Sequence, residues 1–284
     1  MKIMRNALLV VPLVGILLAG CVGAPTNEYT AFAQAGAGYA AAVDKLLTSA
    51  GVAQVDSTSW ALVMGKEDSG VDDRNYTGSM EADRARLEKI SRLRVHAKLL
   101  ARYFGHLESL ATSDAPEKTK TAIEGVVAGL NTLSLTLPDS ASVLPAFGKL
   151  AVDMKIRAAL KEELNTRKDV IRRELQIQEV LIQELTGQIS AALTRKNSAQ
   201  EQLLVRVPIT GNSPLKDEGE WVSTRRDVIY LPTMIEEISS ASDAARKMRE
   251  AFDGLLSGED AMGRINALII DIESILDVVD AINS

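Results

Sequence analysis

The chain has 284 residues, 46% hydrophobic, 4% aromatic and 25% charged, with a formal net charge of −6. That balance argues against a nucleic-acid-binding domain, whose electrostatic footprint is basic. The single cysteine leaves no intramolecular disulfide to form, so the fold must rest on its core, which a chain of this length can supply. With Ala, Leu, Ile, Glu, Lys and Arg dominant and helical periodicity sustained, long helices are expected.

At the N-terminus, Lys2 and Arg5 precede an uncharged apolar run, Ala7 to Leu18, broken only by Pro12 and Gly15. The run is too short for a transmembrane helix, which needs about 20 such residues. Leu18-Ala19-Gly20-Cys21 closes it with small residues before the lone cysteine. Residues 1–24 resemble the signal and lipobox of bacterial lipoproteins. The resemblance implies that residues 1–20 are removed and that Cys21 becomes the mature N-terminus. It would carry thioether-linked diacylglycerol and usually an amide-linked acyl chain, with no other cofactor expected. Removal takes away Lys2 and Arg5 but no acid, moving the formal charge to −8. Val22 rather than Asp follows the cysteine, which by resemblance to enteric sorting favours the outer membrane, facing the periplasm. In a Gram-positive cell the same signal would leave the protein on the outer face of the plasma membrane.

Residues 21–28, with Pro25, read as a lipidated tether, and residues 29–284 as one helical domain. Phe32, Tyr39, Val43, Leu46 and Ala50 recur at helical spacing, and the pattern loosens from Gly51, with another apolar turn or two at Trp60 to Met64. Lys66 to Gly78 reads as a polar connection, with Ser79 as N-cap of a second helix. That helix carries Ile90, Leu93, Ala97, Leu100, Phe104, Leu107 and Ala111, a coiled-coil-like seam. Pro116 suits the first turn of a third helix, packing through Ile123, Val126, Val127 and Leu130. Residues 146–206 give a long stripe from Ile156 to Leu193, with Arg167 and Gln178 at gaps in its register. Val207 to Tyr230 shows no clear period, and Pro232 reads as the start of a fifth helix. Ser257-Gly258 turns the chain into a last helix bearing Ile265, Ile269, Ile272, Leu276 and Val279. The expected fold is an all-α, elongated antiparallel bundle of about six helices.

Candidate sites are few. His96 and His106, the only histidines, would lie about 80° apart around one helix and cannot share a metal without other ligands. They read as surface or flank residues. Arg84, Arg94, Lys98 and Arg102 gather opposite the second helix's apolar seam, either as a patch for lipid phosphates or an acidic partner, or as a solvated face. Asp73-Arg74-Asn75-Tyr76-Thr77-Gly78 partly resembles the opening of an EF-hand calcium loop, but Arg84 stands where the bidentate Glu belongs. A polar helix-leading loop fits better. Ile209, Trp221 and Tyr230 fall in the long aperiodic stretch and are the best candidates for partner contact, although Trp221 would also serve to plug the bundle's end. No catalytic residue, metal ligand set or cofactor fingerprint stands out.

These observations favour a lipid-anchored envelope protein that is structural, adaptor-like or scaffolding and contacts an envelope protein partner, with no nucleic acid involved. The alternatives are a membrane-active helical protein of the pore-forming or remodelling kind, or an enzyme acting on the cell wall.

Overall fold

The computed structural model describes residues 28–68, 70–112, 116–133, 155–259 and 261–283. The signal-like segment, Cys21 and residues 22–27 of the expected tether lie outside them, as do residues 146–154 of the expected long helix. Among these described residues there are seven α-helices: α1 Glu28–Asp68, α2 Asp73–Thr112, α3 Pro116–Thr132, α4 Lys155–Gln200, α5 Val207–Thr210, α6 Glu218–Ser257 and α7 Met262–Asn283. A π-helix, Glu201–Arg206, joins α4 to α5 without a break, so the two form one rod. Among the described residues there is no strand. At 1.5 Å per residue the 46 residues of α4 span about 69 Å.

The helix α1 is the axis of the bundle. It packs against α2, α4 and α7, and touches α6. Such a helix must be nearly apolar all round and must also be thin, so that its neighbours can approach. Between Phe32 and Ala53 the buried positions include Ala33, Ala35, Gly36, Ala40, Ala42 and Ala50. Only a narrow stripe through Gln34, Gly38, Ala41, Lys45, Thr48 and Val52 stays exposed.

Helix α1 runs on through Gly51 to Asp68, well past the point where its apolar period fades. Polar pairs replace apolar contacts there. Asp56 accepts from Lys196 Nζ at 2.8 Å, Ser57 Oγ from Arg195 Nε at 3.1 Å, and Thr58 donates to Asp83 at 2.6 Å. Gly51 itself is enclosed, since a Cβ there would meet Leu87 at 2.9 Å.

Side-chain bonds fix the helix directions. Gln34–Glu108, Asp44–Arg94 and Thr58–Asp83 make α1 and α2 antiparallel. Arg172–Asp253 and Arg249–Glu179 do the same for α4 and α6, and Lys247–Asp271 with the Gly254–Arg264 contact for α6 and α7. The directions of α4 and α6 set α4 and α7 parallel to each other. Helix α3 also runs parallel to α4, through Arg167–Glu124 and Arg173–Asn131.

The start of α2 differs from the sequence expectation. The helix opens at Asp73, six residues before Ser79, with Asp72 Oδ1 accepting from the Asn75 backbone N–H at 2.6 Å. Asp73 to Gly78 is therefore helical rather than an ion-encircling loop. Two junctions match expectation: α3 begins at Pro116, and Gly258, in the left-handed region at φ 78°, turns α6 into α7.

At the centre of the core, Phe32 of α1 meets Phe104 of α2 edge-on at 5.5 Å and stacks with Phe252 of α6 at 5.9 Å. Phe104 lies flat over Gly36, whose missing Cβ would sit 2.7 Å from the ring. Backbone and ring leave no room for a methyl group. Gly36→Ala is expected to destabilise the fold by about 1–3 kcal/mol despite its better helix propensity. Phe104→Leu in the same chain should recover part of that loss. Urea unfolding of the single and double variants measures both.

Candidate interaction surface

The candidate surface lies at the end of the bundle where α7 stops. Asn283 donates to Ser49 at 3.0 Å, so α7 ends level with the middle of α1. Beyond that level the α1/α2 and α4/α6 hairpins continue. The second hairpin forms an arm, residues 197–231, in which Leu204, Val207, Ile209, Val222, Ile229 and Tyr230 are exposed.

Two prolines in helical backbone, Pro208 within the arm and Pro232 at its base, shape it. Pro232 has no N–H, so the Val228 carbonyl four residues earlier loses its helical donor. Asn197 of α4 supplies one, its Nδ2 donating to Val228 O at 3.1 Å. Proline is therefore tolerated within α6, and the helix begins at Glu218, not at Pro232. Asp217 caps it, accepting from the Glu220 N–H at 2.9 Å. On the other leg of the arm, Pro208 follows the π-helix, where the Val207 N–H bonds five residues back to Gln202. Trp221 Nε1 donates to the Val205 carbonyl in that π-turn at 3.0 Å, pinning α6 to it.

The expected long loop is thus short. Only residues 211–217 lack helix, while Ile209 lies in α5 and Trp221 and Tyr230 in α6. The three do not converge. Ile209 is exposed at the tip, and Trp221 is half-buried as a clasp between the two helical legs of the arm. Tyr230 is 63% exposed, more than two turns farther along α6. Beside Trp221 is an open cleft of about 500 Å³ lined by Leu204, Pro208, Pro214, Leu215 and Thr224. Sequence reasoning missed Val222 and Ile229, which join Tyr230 at helical spacing. Once α6 is extended to Glu218, that spacing marks them as a face.

Other sequence candidates take different roles. Arg94 leaves the expected basic patch and bonds Asp44 of α1 at 2.7 Å, while Arg84, Lys98 and Arg102 remain exposed. A groove of about 490 Å³ between α1 and α2 has Val52, Val55, Leu87 and Ile90 on its walls. Its charged groups Asp56 and Arg94 are already engaged, with Lys196 and Asp44.

His96 is not a surface residue. It is 4% exposed, with Nδ1 2.9 Å from Glu174 Oε2 across the α2/α4 interface. Arg173 approaches the other carboxylate oxygen at 3.6 Å. One turn on, Gln178 is buried and lines, with His96, Val43, Leu47 and Leu93, a small cavity of about 20 Å³. An imidazole held by a carboxylate is a base with its orienting group, but no serine, threonine or cysteine lines that cavity; apart from His96 and Gln178 its walls are aliphatic. His106 is half-buried on the same helix. Among the described residues no group of three His, Cys, Asp or Glu side chains could hold a metal ion, the Asp73 segment included.

Nearer the other end of α4, Glu163 is buried beside Arg167, which donates to it at 3.3 Å. Burial raises the carboxyl above its ordinary range, and Arg167 and Lys120 offset this only in part. Tyr103, fully buried, is pushed up by burial and by Glu163.

Compared with protein-family models, curated proteins and solved structures, the chain matches none.

A carboxyl raised in the folded state contributes stability that is full below its unfolded value and declines as pH rises through the folded one. Glu163→Gln does not ionise, so its stability should gain on wild type as pH rises above 4.5. Urea midpoints taken across that interval would show the gap widening; a constant gap would contradict the burial-driven shift. Asn197→Ala should cost about 1 kcal/mol, and less when Pro232→Ala restores an N–H to the Val228 carbonyl. A double-mutant unfolding cycle without such coupling would sink the proposed compensation.

Proposed function

We propose that this chain is a lipid-anchored bacterial envelope protein that acts by protein–protein contact, as an adaptor or scaffold. The observation that carries the contact reading is the exposed apolar arm. Val222, Ile229 and Tyr230 occupy the outward side of a helix whose inward side already packs through Val228. A solvated outer face is ordinarily polar, and exposed apolar residues grouped in this way mark interaction surfaces.

The anchor reading rests on Lys2, Arg5, the apolar run and Leu18-Ala19-Gly20-Cys21. Two or three acyl chains, at about 0.8 kcal/mol per buried methylene, hold a protein stably where one would not. From Glu28, seven residues after Cys21, α1 runs 41 residues to the arm end, about 60 Å away. A tether at one end and an apolar face at the other is an arrangement suited to bridging the membrane and a partner. No helix among the described residues is long and apolar enough to cross a membrane.

Mass spectrometry of the N-terminal peptide tests the anchor. It should begin at Cys21 and carry diacylglycerol; a different start with a free thiol would overturn the reading. For the contact, wild type should co-purify a specific envelope protein from detergent-solubilised membranes. A variant with Val222, Ile229 and Tyr230 all changed to Ser should lose that partner by roughly tenfold or more, as expected for central apolar contacts.

A further inference from the structure

Two exposed faces of this chain are complementary and cannot meet within one molecule. On the arm, Val222, Arg225, Arg226, Ile229 and Tyr230 fall at steps of three and four, forming one outward stripe of α6. Ile229 is 53% exposed, and among the described residues neither arginine is engaged in an ion pair. On α7, Ile269, Ile270, Glu273, Asp277 and Asp280 form a second outward stripe. Ile270 is 63% exposed, and the three acids likewise lack ion-pair partners among the described residues.

The stripes match in kind: exposed aliphatic side chains beside unpaired charges, basic on one and acidic on the other. Their separation within one chain follows from helix register. Lys247 pairs with Asp271, and Arg264 lies against Gly254, so Glu273 sits level with residue 245 of α6. Arg226 is then about 28 Å farther along the axis, past the end of α7. Folding leaves each face without the other.

We propose that the α6 stripe Val222, Arg225, Arg226, Ile229 and Tyr230 docks on the α7 stripe Ile269 to Asp280 of a second copy of this chain. The contact is heterologous, head to tail: each copy keeps one free face of each kind, so association continues into a ring or a filament. Opposed charges select the register, and the aliphatic residues become buried on contact. This deepens the contact reading by naming the partner for the same arm. It requires no lipid.

The test is site-directed disulfide trapping in the full-length chain with Cys21→Ser, which removes the only native thiol. One sample carries Ile229→Cys, a second Ile270→Cys, and the two are mixed in neutral detergent under mild oxidation. The mixed sample should yield a linked dimer, while each variant alone stays unlinked. Arg225→Glu with Arg226→Glu in the first partner should lower the yield roughly tenfold. Adding Glu273→Arg with Asp277→Arg to the second should restore it. Salt at about 1 M, where screening acts beyond roughly 3 Å, should weaken the wild-type pairing. No mixed link, self-linking of either variant, or a yield indifferent to charge reversal would overturn the proposal. All the altered helical residues are exposed, and unchanged helical circular dichroism verifies the fold of each variant. An overturned docking would leave the membrane co-purification to decide the broader contact reading independently.

Discussion

The structure depends on one steric constraint: α1 must be slim enough for three other helices to reach its axis. Phe104 resting on Gly36 is the clearest expression of it. The ring occupies the volume that any side chain at position 36 would need, and it holds Phe32 edge-on. Phe32 in turn stacks on Phe252, so one small residue lets three helices share an aromatic centre. The alanines along α1 extend the same logic over several turns. Close backbone approach compensates for side chains that bury little area of their own.

Away from that centre the bundle changes how it holds together. The second half of α1 is tied by Asp56, Ser57 and Thr58 to partners on α4 and α2. These partly buried bonds fix the register of helices that lack a continuous apolar seam. The interior also admits polar groups, His96 with Glu174 and Glu163 with Arg167. Removing one member of such a pair leaves the other buried without its partner, which is costly, so each pair constrains which helices can face one another. Along α4 such groups interrupt the apolar stripe and set which turn of α2 or α3 lies opposite.

The two ends of the bundle consequently differ. Around Phe32 and Phe104 the helices are fully packed. At the other end, two hairpins extend past α7 with less to cover them, and the outward face of the α4/α6 arm retains Val222, Ile229 and Tyr230. Asn197 and Trp221 keep the α4/α6 arm helical and closed by satisfying carbonyls of Val228 and Val205. A firm arm presents its side chains in a fixed stripe, which costs less ordering on contact than a loop would.

Much of the fold was legible in the sequence because period and punctuation are local. The seam from Ile90 to Ala111, the stripe from Leu160 to Leu193, Pro116 at a helix start and Gly258 at a turn need only their neighbours in the chain. They determined an all-α bundle of long helices. Tertiary structure decided what depends on distant residues. Pro232 signals a helix start when read alone; Asn197, thirty-five positions earlier, supplies the missing donor, and α6 runs through it. His96 reads as an ordinary flank residue until Glu174 arrives from α4, and Arg94 as a free cation until Asp44 pairs with it. Ile209, Trp221 and Tyr230 were identifiable as conspicuous residues, but not as tip, clasp and outward face. The reason is common to all of these: a hydrogen bond or ion pair across the bundle leaves no periodic trace in either segment that makes it.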